Sequence, residues 1–350
     1  MSRFLAKRFN NLNAYVPGEQ PSDTKYIKLN TNESPYPLPD GFNSIVQSEL
    51  LNINLYPNPD GSKLIKKIAS LYKVEYENVI LGNGSDELLA FAFLAFFENG
   101  VIFPDITYGF YPVYANLYDI PYREVPLDDD LSVNINDYIS SGSNIVLANP
   151  NAPTGIALEL NDVEEIVKSN PDNIVLIDEA YVDFGADSAV KLTKKYNNLI
   201  VMHTYSKSRS MAGARLAYAI ACEPVIDDLN KMKYSFNPYN VNRLTQIIGE
   251  KALENEGYFI KNRGAIIEAR EYTELQLKNL GFQMTNSKAN FILCKHKDIS
   301  GVNLYLELKK AGILIRHLNK PRISDYVRIT IGTKDQMKIL IAEISKILGK

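Results

Sequence analysis

Six short apolar runs punctuate the first two-thirds of the chain: NVILG (Asn78–Gly82), GVIFP (Gly100–Pro104), NIVLA (Asn144–Ala148), NIVLID (Asn173–Asp178), LIVMH (Leu199–His203) and LAYAI (Leu216–Ile220). They are continuous rather than alternating, the pattern of strands covered by helices on both faces, as in a parallel sheet. Helical spacing fills intervals between them, as over Ser85–Glu98 and Asn161–Ser169. The expected fold is therefore α/β, with a large doubly wound, mostly parallel sheet domain. From about Asn240 the rhythm changes. A long charged helix (Tyr258–Leu280) leads to three strand-like pieces, NFILCK, ILIRH and YVRITI, and to a closing helix over Asp335–Leu348. That reads as a smaller α+β domain. The Pro- and Asn-rich first forty residues read as an arm laid over a partner surface. The predicted division is an arm with part of the small domain (1–40), a large domain (41–238) and a small C-terminal domain (239–350).

Composition narrows the function classes without choosing one. The chain has 350 residues, 45% hydrophobic and 23% charged, ordinary for a soluble globular protein. A net charge of −3 gives no basic field for nucleic acid or an anionic membrane. Cys222 and Cys294 lack CxxC spacing and are expected to be free thiols of a reduced, cytoplasmic protein. The three histidines, His203, His296 and His317, lack metal-ligand spacing, so no metal is expected. No run of 18 apolar residues and no leader pattern occur, so neither a membrane span nor an export signal is predicted.

Chemistry concentrates where the apolar runs stop. Ligands of an open parallel sheet bind at the carboxyl ends of its strands. The first run ends in GNGSDE, where Gly84, Ser85 and Asp86 open a helix. Ser85 alone reads equally well as a plain N-cap, but glycines before a helix also let backbone N–H groups approach a phosphate. Tyr108 follows the second run, Asn149 and Asn151 the third, and Asp178 closes the fourth, with Tyr181 three residues on. After the fifth comes HTYSKSRSMAGAR, with Thr204, Ser206, Lys207 and Arg215. Hydroxyls and an arginine suit a single phosphate, and a carboxylate closing an apolar strand needs a cationic partner. An amine between the two completes the Schiff-base arrangement of a pyridoxal 5'-phosphate enzyme. In that reading Tyr108 stacks on the ring, and Asn151 and Tyr181 hydrogen-bond its phenolic oxygen.

The motifs NPNAPTG, DEAYVDF, TYSKSRSMAGARLAY and VRITIGT, together with LNTNESPY, YPNPDG and PDITYGFY, resemble those of fold-type I pyridoxal phosphate aminotransferases. Within them the chain is similar, almost end to end, to the histidinol-phosphate aminotransferase family. The resemblance implies catalytic roles for Lys207, Asp178 and Tyr181, and a homodimer with shared active sites in which Tyr56 reaches the partner's cofactor phosphate. It implies that Arg328, assisted by Arg316 and Tyr15, grips the acidic group of histidinol phosphate or of 2-oxoglutarate and glutamate, with the imidazole toward Asn32 and Tyr36. A threonine-phosphate decarboxylase, an aromatic amino acid aminotransferase and a non-catalytic pyridoxal phosphate-binding module are the alternatives. Two positions depart from the family pattern. Ala152 stands where an asparagine precedes Pro-Thr-Gly, leaving Asn151 or Asn149 to supply the amide, and Arg209 adds a charge that is either solvated or turned to the phosphate.

Overall fold

The structure is a computed structural model, described here for residues 3–10, 12–21 and 26–350. All six apolar runs form strands of one seven-stranded sheet. Its order is Val79–Gly82, Ala217–Ile220, Leu199–Thr204, Val175–Asp178, Asn144–Ala148, Val101–Pro104 and Tyr122–Val125. The side chains alternate between two cores. Ile145, Leu147, Ile177 and Val201 pack against helix Ser62–Tyr72 and helix Leu160–Ser169, through Leu64, Val163 and Val167. Val146, Leu176, Ile200 and Met202 face Leu88, Leu89 and Leu229, from helices Ser85–Phe96 and Glu223–Phe236. A period-two backbone between two helical layers requires apolar residues at every position, which is why the runs are unbroken.

The sheet departs from the expected one in two ways. The strand Ala217–Ile220 runs antiparallel to both neighbours, while the remaining pairings are parallel. An apolar run looks the same in either direction, so only the short return from Thr204 reverses the strand. The seventh strand, Tyr122–Val125, is an edge with three exposed residues and a buried Val125, and its sequence YREV carries no apolar run.

In the C-terminal part, Phe291–Lys295, Val327–Thr330, Arg316–His317 and Gln283–Met284 make an antiparallel four-stranded sheet. The long helix Glu256–Leu280 and the closing helix Lys334–Ile347 cover it, burying Ile266, Leu277, Leu340 and Ile344 against Phe291 and Ile329. The predicted strand ILIRH is split. Ile313–Leu314 pairs in parallel with Ile27–Lys28, and Arg316–His317 joins the antiparallel sheet. Val241, Ala252 and Phe259 belong to the core of the large sheet, whereas Ile266 joins the smaller one. The change of core therefore lies inside the long helix, downstream of residue 239.

Residues 1, 2, 11 and 22–25 of the arm lie outside the described residues. Residues 12–21 lie on their own chain. Asn30 Nδ2 donates to the Glu19 carbonyl at 2.7 Å, Lys309 and Tyr305 hold the Glu19 carboxylate at 2.6 and 2.9 Å, and Arg316 donates to the carbonyls of Val16 and Pro17. Through Tyr15, which stacks on Phe110 and tilts against Tyr108, the arm also meets the segment that follows strand Val101–Pro104.

Candidate active site

Strand ends Gly82, Ala148, Asp178 and Thr204 come together on one edge of the large sheet. A cleft of about 520 Å3, counting its open mouth, is lined there by Ser85, Asp86, Tyr108, Ala152, Asp178, Tyr181, Thr204, Ser206, Lys207 and Arg215.

One end of the cleft is built for an oxyanion. Gly84 has φ +80°, and a Cβ there would lie 2.3 Å from Arg215 Nη2, so the glycine lets the guanidinium cross the start of helix Ser85–Phe96. Arg215 Nη2 sits 2.9 Å from Asp86 Oδ2, and Tyr108 OH donates to Asp86 Oδ1 at 2.8 Å. Burial and this carboxylate push the Tyr108 phenol far up, so it stays a donor. Thr204 Oγ1 accepts from Ser206 N at 3.1 Å. Ser206 Oγ is buried and has no partner among the described residues. A buried hydroxyl of that kind, beside an arginine and a helix N-terminus, fits a phosphate.

At the other end lies Asp178. Its carboxylate accepts from Tyr111 OH and from Ala180 N, each at 3.1 Å. Burial pushes it up to about 6 despite these bonds, so an adjacent cation would strengthen its ionised form. Tyr111 was missing from the sequence expectations. It is one of 22 tyrosines and lies within an apolar helix, so only the packing singles it out.

Lys207 lines the same cleft, with its Nζ 3.4 Å from the Thr31 carbonyl and 5.6 Å from the centre of the Tyr181 ring. Three consecutive arm residues hold three site side chains. The Asn30 carbonyl accepts from Arg328 Nη2 at 3.0 Å, the Thr31 carbonyl from Lys207, and Asn32 Nδ2 donates to Tyr181 OH at 3.0 Å. Asn32 takes the left-handed conformation, φ 58°, which asparagine tolerates better than most residues.

Beside the cleft, Arg328 and Arg316 face each other across neighbouring strands. Burial pushes the Arg328 guanidinium down, the Tyr15 and Tyr181 phenols opposing it, and its Nε has no partner among the described residues. Tyr15 stacks on Phe110 at 4.2 Å, and the nearby arginines pull against the rise that burial imposes on its phenol.

Several expected residues do not reach the cleft as predicted. Asn151 is buried, its amide donating to the Ile106 carbonyl at 2.9 Å and Thr154 Oγ1 at 3.2 Å and accepting from Thr107 Oγ1 at 2.8 Å. Asn149 is bonded to both backbone groups of Leu158, so Ala152 alone of this motif lines the cleft. Asn32 is likewise committed. Its Oδ1 accepts from Thr330 Oγ1 while its Nδ2 faces Tyr181, and Tyr36 packs against the small-domain core instead of the cleft. Arg209 turns the opposite way from the phosphate end. It is buried against Tyr205 and Phe259 and paired with Glu256 at 2.7 Å. Tyr56 is 76% exposed and stacks on Tyr239 at 4.4 Å, away from this chain's cleft.

A lysine, a buried carboxylate and an oxyanion cup share one cleft at the strand ends of an α/β sheet, a set that suits amine chemistry on a phosphorylated heterocycle. The residues present fit pyridoxal phosphate. The family model described as aminotransferase class I and II matches residues 24–344, and the chain belongs to that family. It is 49% identical over 352 residues, 99% of each chain, to a histidinol-phosphate aminotransferase from Brachyspira hyodysenteriae. It is 48% identical to the Lactococcus lactis histidinol-phosphate aminotransferase, over 97% of this chain and 96% of that one. In fold it is similar to the Sinorhizobium meliloti histidinol-phosphate aminotransferase in complex with pyridoxal-5'-phosphate, with TM-score 0.87, 18% identity and 99% of each chain covered.

Proposed function

We propose that the chain transfers an amino group from L-histidinol phosphate to 2-oxoglutarate, giving imidazole acetol phosphate and L-glutamate, with pyridoxal phosphate as its cofactor. The full-length identity to histidinol-phosphate aminotransferases supports the substrate. The observation that carries the reading is the pair of facing arginines, Arg316 and Arg328, beside a lysine-centred cleft. A two-substrate transaminase must accept both donors in one pocket, and guanidinium groups grip a carboxylate or a phosphate alike.

Bound there, pyridoxal phosphate supplies an electron-withdrawing ring that takes up the negative charge left when a proton leaves the amino-bearing carbon. The chain's own residues do the rest. Ser206, Thr204, Arg215 and the first amides of helix Ser85–Phe96 bind the phosphate. Asp178 holds a proton on the ring nitrogen, and Tyr108 flanks the ring. Lys207 Nζ would hold the cofactor covalently and serve as the group that moves the proton. Arg328 orients the substrate's acidic group, with Arg316 and the Tyr15 hydroxyl adding contacts to the larger phosphate.

The active unit in this reading is a homodimer. Leu51, Ile53, Leu55, Tyr56, Phe236 and Tyr239 are exposed large apolar residues, which a second copy would cover while bringing Tyr56 to its site. Among the described residues no helix is long and apolar enough to cross a membrane. The cytoplasm is the compartment proposed.

A transamination assay with 2-oxoglutarate tests the reading. Histidinol phosphate is expected to be the preferred donor over phenylalanine, aspartate and threonine phosphate, with glutamate as product. A preference for an unphosphorylated donor overturns the substrate, and carbon dioxide in place of glutamate overturns the reaction.

A further inference from the structure

A chain of polar contacts runs from the small sheet, through the arm, to the cleft wall, and hydrogen-bond bookkeeping gives it a direction. Thr330 Oγ1 accepts from the Asn32 backbone N–H and donates its own proton to Asn32 Oδ1, each at 2.9 Å. That fixes which way the Asn32 amide faces, because only its oxygen can meet a donating hydroxyl. The Asn32 carbonyl is held from the other side by Asn290 Nδ2 at 3.0 Å. Asn32 Nδ2 therefore faces Tyr181 OH and donates to it at 3.0 Å. The Tyr181 oxygen is occupied as an acceptor, and its proton is left to point into the cleft that Tyr181 lines. Asn32, Asn290 and Thr330 are all buried, so water does not compete for these bonds.

The same wall lacks an amide donor. Ala152 lines the cleft, and Asn149 and Asn151 spend their amides on neighbouring groups. Resting on the cofactor reading above, we propose that Asn32 is a positioning residue: it fixes Tyr181 as the hydrogen-bond donor to the cofactor's ring oxygen, in place of the amide that Ala152 does not provide. The arm and the small sheet thereby set the protonation behaviour of a group held by the large domain. A donor on the ring oxygen draws its negative charge and so weakens its hold on the proton of the neighbouring lysine-bound nitrogen.

Asn32→Asp tests this, since aspartate keeps the shape and tolerates positive φ. An aspartate oxygen facing Tyr181 accepts its proton and turns the phenol away from the cleft. The pH at which the bound cofactor's visible absorption band converts is expected to rise by about one pH unit, and cofactor affinity to fall about tenfold. Thr330→Val, which frees the amide to flip without adding charge, should shift the conversion the same way by less. In a Tyr181→Phe background neither change should move it further. Ala152→Asn, which returns an amide to the wall, should offset part of the shift. A shift that persists in the Tyr181→Phe background, or Asn32→Asp and Thr330→Val variants that fold and titrate like wild type, overturns the relay alone. A wild-type chain that binds no pyridoxal phosphate overturns the cofactor reading as well.

Discussion

In the proposed reading, Asp178 serves the cofactor at the expense of the stability of the fold. Its carboxyl is raised from an ordinary 3.8 to about 6 by burial, which Tyr111 and Ala180 only partly offset. The folded chain therefore binds a proton that the unfolded chain has released, between about pH 4 and 6. Stability from this group is present at low pH and lost as pH rises through the folded value, so at pH 7 to 8 the ionised group opposes folding by about 3 kcal/mol. Asp178→Asn should raise the melting temperature of the cofactor-free protein at pH 8 and flatten its dependence below pH 6, while cofactor affinity and turnover fall by orders of magnitude. A calorimetric scan of the apo variant paired with cofactor titration measures both. A variant with normal turnover would make Asp178 a structural acid. Lys207 carries the complementary expectation. Borohydride reduction of the loaded protein followed by peptide mapping should label Lys207, and label at any other lysine contradicts the assignment.

At the scale of elements, the turn from Gly82 into helix Ser85–Phe96 depends on a conformation. Gly84 combines positive φ with the close approach of Arg215. Gly84→Ala should cost about 1–3 kcal/mol of stability through backbone strain and displace the guanidinium, lowering affinity for pyridoxal phosphate at least tenfold. Fluorescence titration and thermal melting report the two effects separately. Unchanged affinity would mean that the helix start is not the phosphate site. The loop from Tyr205 to Arg215 is anchored from behind as well. Arg209 pairs with Glu256, which also meets Arg263, and Ser208 donates to Asp183. These contacts tie the loop that bears Lys207 to the first turn of the long helix.

At the scale of the molecule, Tyr56 and its apolar neighbours lie outside this chain's cleft, and in the proposed homodimer a second chain would cover them. Mixing inactive Tyr56→Phe and Lys207→Ala chains should restore part of the activity, because a mixed dimer rebuilds one intact site. Both parents must be confirmed inactive and subunit exchange verified. No recovery under those conditions would mean that each site is built from a single chain.

What the sequence by itself determined was the α/β class, six of the seven strands of the large sheet, and the residues Asp178, Thr204 and Lys207 at or just after strand ends. Those are local: burial on both faces demands unbroken apolar runs, and the residue that ends a run stands where ligands bind. Tertiary structure decided what depends on distant partners. The direction of Ala217–Ile220 was open because a fully buried strand carries no polarity in its pattern. Asn151 and Asn149 were indistinguishable as ligands until their amides proved to be bonded to Ile106, Thr154 and Leu158. Tyr111 gained its role only by packing under Asp178, and Asn32 only by meeting Thr330, 298 residues away. A hydrogen bond requires two groups at one place with opposite roles, and no periodicity along a chain encodes that meeting.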